Sequence, residues 1–194
     1  MATDVSAVLQ RVIDRAKERG VSEDDVLRLA ADQGERLLEK FVDVMSNTAR
    51  KPRQCFPIVV NYDLSLEDAI AAGDYQTVNS SITSKTFSSA QHGQAELQIN
   101  LIRFEQRMTS EDVLRELEKE GLRAVELREL LAFGATHPDV QRKFSVVGLG
   151  SVWHDRKGYR NVPCLYAASE GRYLDLHWWD DAWYSHSRFA VVSK

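Results

Sequence analysis

The segment Tyr173-Leu-Asp-Leu-His-Trp-Trp-Asp-Asp-Ala-Trp-Tyr-Ser-His-Ser-Arg188 concentrates the side chains best suited to recognition or to proton transfer. All four tryptophans (Trp153, Trp178, Trp179, Trp183) fall in the C-terminal stretch, as do three of the five histidines, His154, His177 and His186. Tyr and Trp offer large, rigid contact area at low entropic cost, and Ser, Asp and His add polar specificity. In a strand over 172–179, alternation sends Leu174, Leu176 and Trp178 to the core. Tyr173, Asp175, His177 and Trp179 then face outward, and Asp181, Trp183, Tyr184 and His186 occupy the loop beyond. These eight outward or loop residues form the candidate ligand-binding set.

The same residue types can also do catalysis. His154, His177 and His186, with Asp155, Asp175, Asp180 and Asp181 nearby, have the makings of a general base with an orienting carboxylate, or of a metal site. Their spacing matches no zinc motif, and the chain contains no His-Glu-x-x-His, paired Cys-x-x-Cys or Gly-x-Ser-x-Gly. The sequence therefore assigns no catalytic residue, metal ligand set or cofactor. Binding is the leading expectation; a small hydrolase or metal-dependent enzyme is the alternative. Gly148-Leu-Gly150 has no following helix to cradle a phosphate, so it reads as a bulge or a close backbone approach. Cys164 has no base beside it and reads as a small buried apolar residue. Cys55 and Cys164 are both expected to be reduced thiols.

The elements that must position these residues are legible from periodicity and caps. Val5, Val8, Leu9, Val12, Ile13 and Ala16 repeat at helical spacing up to Gly20. Ser22 and Asp25 then open a second helix carrying Leu27, Leu37, Leu38 and Phe41. A helical hairpin over 1–48 follows, for docking or oligomerisation, with a possible homodimer through residues 5–45. The polar, basic stretch 49–54 is the linker.

From residue 55 to 194 the pattern is that of an α+β domain. A strand over 56–62 is followed by a helix from Leu66 to Ala72, capped by Ser65. A weak strand is expected near 82–87 and a clear one over 95–104. In the latter, Leu97, Ile99 and Leu101 oppose Glu96, Gln98 and Asn100. Thr109 or Ser110 caps a further helix ended by Gly121, and another runs over 126–133. Pro138 opens a last helical turn to Gln141. Strands over 145–153, 159–167, 172–179 and 188–193, separated by turns at 155–158 and 169–171, suggest a β-meander closing an antiparallel sheet.

The chain has 194 residues, 43% apolar and 28% charged, with a net charge of −4. It can bury a core without disulfides or metal. The negative balance argues against a broad electrostatic grip on nucleic acid, while leaving room for a local basic patch. No apolar run is long enough to span a membrane, and the N-terminus lacks the pattern of a secretory signal. A cytoplasmic protein with a protein or small polar ligand as partner, and neither nucleic acid nor membrane, is the resulting expectation.

One family pattern runs from Gln98 to Val192. A strand ends in Phe104, and a helix follows, capped by Thr109 or Ser110. Gly121-Leu-Arg123 leads into a second helix with Glu126 and Leu130, and a meander closes near Arg188-Phe189. This resembles the C-type-lectin-like fold used by formylglycine-generating enzymes and by variable ligand-binding proteins diversified by retroelements. Arg-Leu-Pro-Thr appears only as Arg123-Ala-Val-Glu126, and the Asn-Val-Trp-Glu-Trp signature is missing. The paired catalytic cysteines of the enzyme branch have no counterpart. The resemblance thus implies a non-enzymatic binding module whose ligand surface is the C-terminal aromatic segment.

Overall fold

The computed structural model describes residues 14–22, 25 and 55–194. The chain divides into two compact units, Met1–Pro52 and Arg53–Lys194. In the first, residues 14–18 are helical and Gly20 stands at φ 81°, the left-handed conformation that ends a helix without a Cβ penalty. The Ser22 hydroxyl accepts from the Asp25 N–H at 3.1 Å, so this expected cap is formed. The remainder of the expected hairpin over 1–48, its dimer surface over 5–45 and the linker 49–54 lie outside the described residues.

The second unit is α+β. Its strands are β1 (Cys55–Asn61), β2 (Thr77–Val78), β3 (Gln94–Ile102), β4 (Leu122–Ala124), β5 (Ser145–Val147), β6 (Trp153–His154), β7 (Arg160–Ala168), β8 (Gly171–Trp178) and β9 (Ser187–Ser193). Its helices are α1 (Leu66–Ala72), α2 (Ser110–Lys119), α3 (Leu127–Thr136) and α4 (Pro138–Gln141). The helix starts follow from the caps read in the sequence. Ser65 accepts from Asp68 N at 3.0 Å and Thr109 accepts from Asp112 N at 3.1 Å.

The strands form one sheet in the order β1-β3-β9-β5-β7-β8-β2, with β4 also on β9 and β6 also on β7. Both faces are covered, because apolar side chains alternate between two clusters. On β9, Ala190 and Val192 join Ile58, Ile99, Leu130, Phe133 and Leu165 on the front face, under α1 and α3. Phe189 and Val191 join Val113, Leu117, Val162 and Cys164 on the rear face, under α2. Leu97, Ile99 and Leu101 share the front face as alternation requires.

Three expectations are corrected. The sheet is mixed rather than antiparallel, since β9 runs parallel to β5 and β2 parallel to β8. The expected four-strand meander holds for its first three strands only. β5 and β6 pair antiparallel with β7, and β7 pairs antiparallel with β8, but β9 leaves the series and inserts between β3 and β5. Residues 82–87 are not a strand. Thr83 N and Thr86 Oγ1 hydrogen-bond within the segment, and local hydroxyl bonds of this kind compete with a ladder. The pairing β2 makes with β8 instead falls at Thr77–Val78.

Gly150 explains the Gly148–Gly150 pattern. Its N–H donates to Val125 O at 2.9 Å, and a Cβ there would stand 2.5 Å from that oxygen. The glycine lets two backbones touch, as the sequence suggested.

Candidate functional site

Because β9 is parallel to β8 and lies beyond β7 and β5, residues 179–186 cannot form a hairpin. They must cross three strand spacings, roughly 14 Å, while returning along the sheet. The return runs from the level of Trp178 to that of Leu174, the register at which Arg188 pairs through β5 and β7. A segment lying across the rear face must be apolar beneath and polar above. Trp179 and Trp183 therefore point down and are 6% and 3% exposed. Asp180, Asp181, Tyr184, Ser185 and His186 are exposed.

This reverses two expected orientations. Alternation continued through residue 179 puts Trp178 in the core and Trp179 outside. The strand ends at Trp178, which is 57% exposed, and the chain turns there, carrying Trp179 inward. Trp183, expected on the loop surface, is likewise buried.

The two indoles are seated on the start of α2. Trp183 Nε1–H donates to Ser110 Oγ at 2.8 Å, and Ser110 Oγ–H donates to Trp179 O at 2.7 Å. Trp179 Nε1–H donates to Glu111 Oε1 at 2.6 Å, and this bond, foremost, holds the Glu111 carboxyl below its ordinary range. Arg160 bridges Glu111 and Asp180, and its guanidinium lies 5.1 Å above the Trp179 ring. Backbone bonds between Met108 and Trp183 complete the attachment.

Above this base lies a cavity of about 400 Å³. Its walls include His177, Asp181, Trp183, Tyr184 and His186, five of the eight candidates, together with Arg107. The His177 ring packs on Trp183 with centroids 4.6 Å apart, and its Nδ1 lies 3.7 Å from Asp181 Oδ2. Tyr184 stacks with His186 at 6.4 Å and receives the Arg107 guanidinium at 5.9 Å. The cavity thus offers a cation, a carboxylate, two imidazoles and a phenol around an indole floor.

The other three candidates stand elsewhere. Trp179 is enclosed beneath α2. Tyr173 stacks on Tyr166 at 5.0 Å, and Asp175 accepts from Asn79 Nδ2 at 2.7 Å and from the Tyr166 hydroxyl at 3.4 Å. That patch ties β7, β8 and the loop after β2 together. His154 is exposed on β6 and is not a wall of the His177–His186 cavity, so the three histidines do not share it. Among the described residues, no group of three or more His, Cys, Asp or Glu side chains is placed to hold a metal ion.

Arg107 escaped sequence reading because it lies just ahead of a helix cap, with no periodicity to mark it. Tyr159 escaped as well. It is 51% exposed and stacks on Trp178 at 5.7 Å. The available signal was the run Arg156-Lys157 beside it in an otherwise acidic chain.

No protein-family model, curated protein or solved structure matches this chain. Among the described residues, no helix is long and apolar enough to cross a membrane.

Proposed function

We propose that the Arg53–Lys194 unit is a binding module that holds a small polar ligand in the cavity above Trp183. The observation that carries this is the convergence of His177, Asp181, Trp183, Tyr184 and His186 on one concavity. A volume of about 400 Å³ suits a small molecule, and a few converging polar groups on an aromatic floor give orientation and specificity. The C-type-lectin-like resemblance implies the same kind of role and is proposed with it. A protein partner fits less well, because the aromatic anchors that a flat interface would need, Trp179 and Trp183, are spent on the core.

The test is a thermal-shift screen of the full chain against amino acids, small carboxylates, sugars and phosphates, repeated on Tyr184→Ala and His186→Ala. Both side chains are exposed, so both variants fold. The expected result is a compound that stabilises the wild type and loses its effect in both variants. Stabilisation of equal size in all three proteins sinks the assignment.

The hydrolase alternative has one observation behind it, the approach of His177 Nδ1 to Asp181 beside the same cavity. Turnover of an activated ester that disappears in His177→Ala would favour it.

A further inference from the structure

His177 and Trp178 are consecutive in β8, so they face opposite sides of the sheet. Trp178 belongs to a second and larger concavity, of about 800 Å³, between the loop after β2 and the turn joining β6 to β7. Two features set it apart. The first is the stacked pair Tyr159 and Trp178, inclined by 28° and each more than half exposed. Side chains of this size are normally covered, and an open pair leaves a flat apolar surface for another ring.

The second feature is charge. Lys85, Arg156 and Lys157 line the same concavity, and among the described residues none of the three side chains makes an ion pair. The one carboxylate in the lining, Asp155, is occupied by its own turn, where it accepts from the N–H groups of Lys157 at 2.8 Å and Tyr159 at 2.9 Å. A chain of net charge −4 thus gathers three cations, without ion pairs among the described residues, beside an exposed aromatic pair.

An aromatic platform recognises a planar ring by stacking, and a cation cluster recognises phosphate. We propose that this concavity binds a nucleotide, with the base on Tyr159 and Trp178 and the phosphate facing Lys85, Arg156 and Lys157. The local patch is consistent with the overall acidity, because one nucleotide needs only a few cations rather than a basic surface. The site is separate from the His177–His186 cavity and does not depend on it.

Calorimetric titration of the full chain with AMP, adenosine, inorganic phosphate and an eight-residue oligothymidylate tests the proposal. AMP is expected to bind more tightly than adenosine or phosphate alone. Trp178→Ala should weaken AMP about 5- to 150-fold, the range for losing one stacked base. Arg156→Glu combined with Lys157→Glu should weaken it further and flatten its salt dependence. All three positions are exposed, so circular dichroism should be unchanged. Tyr184→Ala, in the other cavity, should leave AMP binding intact. If the oligonucleotide binds, AMP does not, and the same variants abolish binding, the site stands with single-stranded nucleic acid as its source of nucleotides. Phosphate binding as tightly as AMP overturns the nucleotide assignment. So does binding of neither AMP nor oligonucleotide at millimolar concentration, or binding that none of these variants alters.

Discussion

Glu129 is 0% exposed, and an ionised carboxylate is tolerable there only because donors surround it. Arg123 grips it through two N–H groups at 2.7 and 2.8 Å, the Tyr62 hydroxyl donates at 3.0 Å, and the Glu126 N–H donates at 2.8 Å. The cluster joins the end of β1 to β4 and the first turn of α3. Replacing Glu129 with Gln leaves Arg123 without its counter-charge. The loss should be about 3 kcal/mol, the lower end for breaking a buried pair, because Arg123 is itself partly exposed. Urea unfolding measures it, and a loss under about 1 kcal/mol would mean that the cluster is replaceable. The capping pattern at Glu126 and Glu129 was not read from the sequence. The helix there was, from its leucines, but nothing local marks a glutamate as buried. The two thiols make a further contrast at this scale. Cys55 is exposed and Cys164 buried, and both are free. A thiol reagent at neutral pH should titrate one cysteine in the folded chain and the second only on unfolding; two fast-reacting thiols would contradict the burial of Cys164.

At the scale of elements, α2 and the crossing segment 179–186 depend on each other. Ser110 is fully buried and links the Trp183 indole to the Trp179 carbonyl. Ser110→Ala leaves both groups without that partner and should cost roughly 1–3 kcal/mol. It should also raise hydrogen exchange at Trp183 N, which bonds to Met108 O. A destabilised variant with unchanged exchange at that amide would show that the backbone bridge, not the serine, secures the segment. The helix itself was plain in the sequence, from Thr109 to Gly121. Its role as a seat for the tryptophans was not, since Ser110 and Trp183 are far apart in the chain and meet only because β9 lies next to β5.

Taken as a whole, the Arg53–Lys194 unit carries three buried groups whose neutral forms burial favours. The Cys164 thiol is pushed up from an ordinary 9.0 to about 12 by burial first and by Asp175 second. Tyr62 and Tyr75 rise from 10.0 to about 12, Tyr62 through burial and then the charge of Glu129, and Tyr75 through burial. In each case the folded chain keeps a proton that the unfolded chain gives up. Their contribution is therefore complete below pH 9 and declines as pH rises from about 9 towards 12. The urea midpoint should be flat to about pH 9 and then fall, and Cys164→Ala should move the onset up by about one pH unit. A midpoint that holds to pH 11, or an onset unmoved by that substitution, would contradict this account.

The sequence by itself determined the local pieces: the cap at Ser65, the helix start at Thr109 or Ser110, Pro138 as the opening of a helical turn, the alternation of β3, and a bulge or close approach at Gly148–Gly150. Each of these depends on neighbours within a few residues, where helix and strand periods speak directly. Only the tertiary structure decided that β9 runs parallel beside β5. From that one pairing follow the diagonal path of 179–186, the burial of Trp179 and Trp183, and the cavity above Trp183. Strand order is set by which apolar faces bury together across the whole chain. A pattern that repeats every two residues says which side chains share a face, but not which strand stands next to which.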